Sequence, residues 1–484
     1  MLGEDAAADA LLPTPSAASP PPSPGRWAVL TTVSLLAINQ SATWALPGTV
    51  ASAFAGVYGL SPDTVQLLAN YGSIFFFLGA WPSMFLLDRF GCALPVRLAA
   101  LLMLASNALR SLATGPDPAS VALVHASAIL CALAGPVAMA IPSRLACDWF
   151  PALERTTATA VAATASQVGG VVIYAAVPLL CPGGDGTGLK RLNSLLLALS
   201  LLNGLGALAY LPPAPPLGAP SPSSRAAAAA RSAQASSPLA LLRALGRLYA
   251  QPAYLVITAT YAACGGVFSA AGVFLPANLA PLGASLSYAA WVGVAVNVGS
   301  LALGVGVAAG GDALKARLGT GWAKRLLVGV TLAGGACFAV FAGAVAWGGG
   351  GDGSGGGGGG GGGWALPTAA ASYTLGGSLF AAQVALSYDL AAEHAWGVAP
   401  DTEGTCLMGV SLPMNTVTLA ALLAPAASLF AWLNWAQAGS SLAAAGALWL
   451  LLPAGAPKCD FDLAEEARLG PTEGAAAAAA AAGF

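Results

Sequence analysis

Trp44, Gln167, Phe268 and Asn415 each lie in a long stretch that contains no charged residue, near the centre of an expected span, and their types point to one chemistry. An aromatic face attracts a desolvated cation by about 0.5 to 2 kcal/mol, and a neutral amide bonds a hydroxyl without adding charge. At one depth they would form a cage for a compact organic cation. Asn39, Asn70 and Gln383 are the next polar groups that could line such a chamber. Buried amides in hydrocarbon are costly unless paired or wetted, so helix–helix hydrogen bonding is the competing reading for each amide. Packing is the competing reading for the two aromatic rings.

Catalysis and metal binding are not implied. The two histidines, His125 and His394, are too few for a haem or metal cluster, and the eight cysteines show no C-x-x-C pair or metal spacing. Only Cys181 lies near an outer end, so no structural disulfide is expected. Nucleophile, base and carboxylate do not share a depth, and the chain reads as a non-enzyme without cofactor or metal. Ion coupling usually needs an intramembrane carboxylate. The nearest, Asp389 and Glu393, fall toward one end of the tenth expected span, so uncoupled movement is expected.

These residues need elements to hold them. Of 484 residues, 57% are hydrophobic and 8% charged, whereas a soluble surface carries roughly 25% or more charged residues. A net charge of −2 excludes a nucleic-acid binder. A charge at the bilayer centre costs roughly 2.5 to 3.5 kcal/mol, so charge-free runs mark the spans. The runs from Arg26 to Asp63 and from Asp63 to Asp88 each hold about the 20 residues a crossing helix needs. Residues 248–311 and 404–457 each hold two spans, with a turn around 280–285 in the first and a break near Asn434 in the second. The full reading is an all-α membrane protein with twelve transmembrane helices in two six-helix bundles.

The expected organisation is a disordered tail at 1–25 and a first bundle at 26–212. A disordered Pro/Ala/Ser-rich cytoplasmic connector follows at 213–238, then a second bundle at 239–453 with a glycine-rich outer loop at 348–363 and a disordered tail at 454–484. The short amphipathic piece 239–248 is expected on the membrane surface. Residues 1–25 lack a basic n-region, so no cleavable signal is read. With both termini cytoplasmic, fifteen Lys and Arg fall on the inner side and only Arg110, Lys190 and Arg191 outside, as the positive-inside rule requires. Neither tail says whether this is the plasma membrane or an organelle membrane. A monomer is expected.

An internal repeat adds a second kind of site. Pro151, Glu154 and Thr156 after the fourth span, and Pro400, Glu403 and Thr405 after the tenth, both spell P-x-x-E-x-T. A carboxylate at a helix start can accept orphan backbone N–H groups, so each copy reads as a helix cap, or as half of a duplicated gate. Leu87-Asp88-Arg89-Phe90-Gly91 and Gly311-Asp312-Ala313-Leu314-Lys315 form a second pair. The expected gate places Asp88 near the start of the eleventh span and Asp312 near the start of the fifth, with Arg89, Arg144, Glu154 and Glu403 beside them. Twelve spans, a long linker and matched loops describe the major facilitator fold.

Leu86-Leu87-Asp88-Arg89-Phe90-Gly91, Ala140-Ile141-Pro142-Ser143-Arg144-Leu145-Ala146 with Trp149-Phe150, and Glu403-Gly404-Thr405 resemble signatures of solute carrier family 49. That family comprises the feline leukaemia virus subgroup C receptor-related transporters and the "disrupted in renal carcinoma" member. The resemblance is strongest at 138–170 and 400–407. It implies transport of choline and ethanolamine, of haem in older proposals, or of pyridoxine by the lysosomal member. It also implies roles: Trp44 matches a cavity-facing first-helix tryptophan and Gln167 a fifth-helix glutamine. Phe268 stands for a seventh-helix tyrosine without its hydroxyl, and Asn415 for a second glutamine one methylene shorter.

Overall fold

The computed structural model describes residues 23–181, 185–216, 218, 221–225, 238–273, 275–318, 321–348, 363–396, 403–423, 429–455 and 457–469. Among them the chain forms α-helices, two short 3-10 turns and no strand. The first group is α1 (Arg26–Thr49), α2 (Ala51–Tyr58), α3 (Pro62–Phe90), α4 (Ala93–Leu112), α5 (Pro118–Trp149), α6 (Arg155–Leu180) and α7 (Gly186–Tyr210). The second is α8 (Pro238–Ala250), α9 (Pro252–Val273), α10 (Leu275–Leu279), α11 (Leu286–Leu318), α12 (Trp322–Gly348), α13 (Ala365–Ala395), α14 (Glu403–Leu423), α15 (Leu429–Leu451) and α16 (Pro457–Leu469). Leaving out the short α2, α8, α10 and α16, each group keeps six helices of 20 residues or more, and 20 residues rise about 30 Å, the thickness of a bilayer core. Eight of these helices also combine that length with an apolar, nearly charge-free window.

The two sets pack by one plan. In the first, α1 lies on α6 and α7, α5 on α3 and α4, and α4 on α7; in the second, α9 lies on α14 and α15, α13 on α11 and α12, and α12 on α15. Across the seam between them, α6 meets α11 and α3 meets α14. Small residues permit this approach: a Cβ on Gly169 of α6 would collide with the Ile38 carbonyl of α1, and one on Gly304 of α11 would strike Thr164 of α6.

The hydrophobic cores show how the sets divide. One cluster is shared, running from Val29, Leu87 and Leu145 to Leu248, Leu386, Leu407 and Leu452. It fills the end where α1 begins and α15 finishes, called here the terminal face. Toward the opposite face the packing splits into a cluster of first-set residues around Phe54 and Leu192 and another of second-set residues around Phe338 and Phe341.

Helix ends follow the local sequence. Pro62 and Pro118 occupy first-turn positions, where a missing N–H costs nothing, and Ser61 and Asp117 cap them by accepting from Thr64 N and Ser120 N. The bonds from Ser120 hold the Asp117 carboxyl below the usual carboxylate range. Gly91, at φ +70, ends α3.

Two prolines free carbonyls that other helices take up. Pro47 has no N–H for the Thr43 carbonyl four residues back, and Arg110 Nη1 donates to that oxygen at 3.5 Å. Arg110 Nη2 also donates to Asn107, whose Nδ2 reaches Thr43 Oγ1 at 3.0 Å and Ser200 Oγ at 2.7 Å. Arg110 is 2% exposed. It therefore does not belong among the outer-loop bases, because a freed carbonyl and an amide draw it inside the bundle. Pro413 likewise frees the Gly409 carbonyl of α14, which accepts from Tyr249 Oη of α8 at 2.7 Å.

Three further expectations are corrected. The connector is not uniformly disordered, since Ser221, Ser223 and Ser224 are buried and hydrogen-bonded; residues 226–237 lie outside the described set. The expected C-terminal tail contains α16, with Lys458, Cys459 and Asp462 buried. Asn434 marks no break, because it lies inside α15 and donates to Asn278 Oδ1 at 3.0 Å. The glycine-rich stretch 349–362, most of the N-terminal tail and residues 470–484 lie outside the described residues.

Candidate functional site

At the terminal face the two sets are tied by hydrogen bonds between carboxylates and helix starts. Thr405, in the first turn of α14, donates its backbone N–H and its hydroxyl to Asp88 Oδ2 at 3.1 and 2.6 Å. Asp88 closes α3, so a carboxylate of one set caps a helix of the other and opposes its positive end. Its second oxygen lies 3.9 Å from Arg144 Nη1, while Arg144 Nε donates to Asp148 at 2.7 Å. Thr156, in the first turn of α6, donates its hydroxyl to Asp389 of α13 at 3.0 Å.

Around that second tie the chain adds a cover. Arg155 Nη1 donates to Asp462 of α16 at 2.7 Å, and Arg155 Nη2 donates to Ser221 and, at 3.2 Å, to Ser223 and Ser224. Ser223 N and Oγ donate to Asp462 at 2.7 and 2.8 Å. Cys459 N donates to Glu393 at 2.8 Å, and Lys458 Nζ donates to Cys147 Sγ at 2.9 Å. Connector, last helix and both sets of spans thus converge on the start of α6.

The expected gate residues divide accordingly. Asp88 and Arg144 lie at the seam. Arg89 is exposed in the last turn of α3. Glu154 does not cap α6: it accepts from Arg26 Nε and Nη2 at 3.1 and 3.2 Å. The reason is charge, since a guanidinium outcompetes backbone N–H groups for a half-exposed carboxylate. The side chains of Asp312 and Glu403 lie outside the described residues.

The chamber candidates fall into two neighbourhoods. In the second set, the Phe268 ring is 4.8 Å from Phe380 and 6.1 Å from Tyr373. The run continues through Tyr261, 6.3 Å from Phe380 and 5.5 Å from Tyr388. Tyr388 Oη lies 3.1 Å from Ser411 Oγ, and Asn415 Nδ2 donates to the Ser411 carbonyl at 3.0 Å. Phe268 and Asn415 therefore sit at two ends of one aromatic and polar run.

In the first set, Trp44 is 45% exposed and lies over Gly72 of α3, where any Cβ would meet its indole. Gln167 is half-buried on α6. Thr164 and Gly170 abut Gly304 and Asn297 of α11, and at 100° per residue Gln167 falls between them, on the face of α6 turned toward the second set. Asn39 points elsewhere: its Nδ2 donates to Ser200 of α7 at 3.0 Å, inside the first set. Asn70 is half-buried on α3. Gln383 is buried on α13, and its Nε2 finds no hydrogen-bond partner among the described residues.

The sequence reading missed Tyr261, Tyr373, Phe380 and Tyr388. Tyr373 and Phe380, seven residues apart on one helical face, were the available signal. It also missed Thr156 and Thr405 as donors, although both lie within the repeat, and it missed Asp462 because it fell in an expected tail.

The family model of the Major Facilitator Superfamily matches residues 33–412. Among curated proteins, the chain is 31% identical over 305 residues to a solute carrier family 49 member 4 homolog of Xenopus tropicalis, covering 60% of this chain and 64% of that one. It is 29% identical over 312 residues to a solute carrier family 49 member A3 of Danio rerio, covering 60% and 62%. It is 28% identical over 159 residues to the choline/ethanolamine transporter FLVCR2 of Homo sapiens, covering 32% and 30%. The matches thus span less than two thirds of the relatives' length. Among solved structures, a double-tryptophan mutant of XylE superposes with a TM-score of 0.63 at 15% identity, covering 93% of this chain and all of that one. The Escherichia coli fucose:proton symporter FucP superposes at 0.62 with 13% identity, covering 88% and 98%. At such identities the likeness is one of fold.

Proposed function

As the chain belongs to the major facilitator superfamily, we propose that it is a membrane transporter carrying a compact organic cation of the choline or ethanolamine type by alternating access. The observation that carries this reading is the divided core. The two sets share one hydrophobic cluster at the terminal face and keep separate clusters toward the opposite face, as expected of two bundles that rock about a midplane site. The ties at Thr405 and Thr156 are hydrogen bonds across a seam, which can break and reform in each cycle. The terminal face is cytoplasmic in this reading, on the strength of fifteen bases on that side against the two, Lys190 and Arg191, that remain on the other.

The cargo assignment rests on Trp44, Phe268 and the rings around Phe268, which offer π faces to a cation, and on Gln167 and Asn415, which offer amides to a hydroxyl or amine. Choline/ethanolamine transport by the FLVCR2 relative supports it. Movement is downhill, since the spans hold no mid-depth carboxylate to carry a coupling ion.

The test is uptake of labelled choline, ethanolamine and pyridoxine by vesicles holding the purified protein. Choline or ethanolamine should enter faster than into empty vesicles, and Trp44→Ala should raise the half-saturating concentration about 2- to 30-fold, the loss of one cation–π contact. If none of the three enters faster than into empty vesicles, the cargo class is wrong.

A further inference from the structure

Helix α8 precedes the second set of spans and lies against the start of α9 and against α14. Its buried positions are Leu241, Ala244, Leu245 and Leu248, which at 100° per residue occupy one arc facing the protein. The opposite arc is open and is itself divided. Leu239 and Leu242, 55% and 49% exposed, form one flank, while Arg243 and Arg247, both exposed and one turn apart, form the other. Neither arginine makes an ion pair among the described residues. A helix with protein on one side, bare leucines on the second and paired cations on the third matches the acyl-to-headgroup boundary of a bilayer.

From this partition we infer that Arg243 and Arg247 bind the phosphate of an anionic phospholipid headgroup, and that Tyr249 passes the occupancy of that site to the gate helix α14. The leucine flank commits the site to a lipid rather than to free phosphate, because it lies in the acyl zone only if α8 rests in the membrane surface. The connection to α14 is direct. Tyr249 Oη donates to the Gly409 carbonyl that Pro413 leaves without its helical N–H, and Gly409 leaves no room for a Cβ against Tyr254. Tyr254 Oη donates to the Cys406 carbonyl at 2.5 Å, next to the Thr405 that Asp88 caps. A shift of α8 therefore displaces the weakest point of α14 and the turn that closes the seam.

This inference rests on the transporter reading for its consequence, but its first two readouts need no cargo. The full chain is placed in vesicles of phosphatidylcholine with and without phosphatidylglycerol. Bound phosphatidylglycerol is measured by native mass spectrometry, and backbone hydrogen exchange is followed in the first turns of α14. Wild-type protein should retain phosphatidylglycerol over phosphatidylcholine. Arg243→Gln/Arg247→Gln should lose about 30-fold of that preference, about fivefold for each arginine near an anionic surface. Excess inorganic phosphate should displace none of it. Tyr249→Phe should keep the lipid while the exchange of α14 stops responding to phosphatidylglycerol. Equal retention by the double variant, or displacement by inorganic phosphate, overturns the site. A normal α14 response in Tyr249→Phe overturns the coupling. Uptake is measured last, and its absence from every vesicle bears on the proposed cargo alone.

Discussion

The two copies of P-x-x-E-x-T begin α6 and α14 with the same residues at the same spacing, yet the chain treats them differently. Each threonine donates its hydroxyl to a carboxylate across the seam. For Thr405 that carboxylate is Asp88, at the end of the second span, and it also takes the backbone N–H. For Thr156 it is Asp389, in the tenth span. The residue before each threonine differs as well, Arg155 in one copy and Gly404 in the other. The glycine leaves its helix start to be closed by Asp88. The arginine draws down α16 and the connector, so the Thr156 tie is joined by four further polar groups, whereas the Thr405 tie is flanked by Arg144. Duplication supplied matching helix starts, and a single side chain made one of them the anchor for segments outside the repeat.

The covered copy should give the largest response. Asp462→Asn leaves Arg155, with a side chain 4% exposed, without its carboxylate, and breaking such a buried pair costs about 3 to 5 kcal/mol. The thermal midpoint of the purified protein should fall by several degrees, and a midpoint equal to wild type would mean that α16 is not an anchor. A smaller effect is expected from Thr405→Val and Thr156→Val, each removing one hydrogen bond to a charged acceptor, worth about 1.5 to 3 kcal/mol. If the ties share the work of closing the terminal face, both variants should change maximal uptake by similar factors. A change confined to Thr405→Val would show that the cover makes the Thr156 tie redundant. The smallest effect belongs to Glu154→Gln, because the Arg26–Glu154 pair is 17% and 36% exposed and half-exposed pairs contribute about 0 to 1 kcal/mol. A loss as large as that of Asp462→Asn would move the anchor from α16 to α1.

Charge-free runs placed the spans because hydrocarbon penalises charge so heavily that composition alone resolves them. Where the penalty is local, the sequence misleads. Arg110 reads as a loop residue because the proline-freed carbonyl of Thr43 that draws it inside lies 67 residues away, and the Asn107 amide one turn back gives no sign of burial by itself. Asn434 reads as a break for the same reason, since its partner Asn278 lies 156 residues away. Of the chamber candidates, Trp44, Gln167, Phe268 and Asn415 were legible as polar or aromatic groups near the centres of expected spans. Asn39 was equally legible but serves packing within the first set, a distinction that depends on which helices neighbour it. The rings of Tyr261, Tyr373 and Phe380 stayed hidden among other apolar residues because periodicity marks a face without saying what it faces.

The bond between Arg110 and the Thr43 carbonyl also bears on how the helices assemble. The segment bearing the arginine emerges after the one bearing the proline, so the acceptor that the neighbouring helix supplies is made before the guanidinium that uses it. Until the two meet, the later segment carries a residue that insertion penalises by about 2.5 to 3.5 kcal/mol at full depth. The first and third hydrocarbon-crossing segments are therefore expected to leave the translocon as a pair.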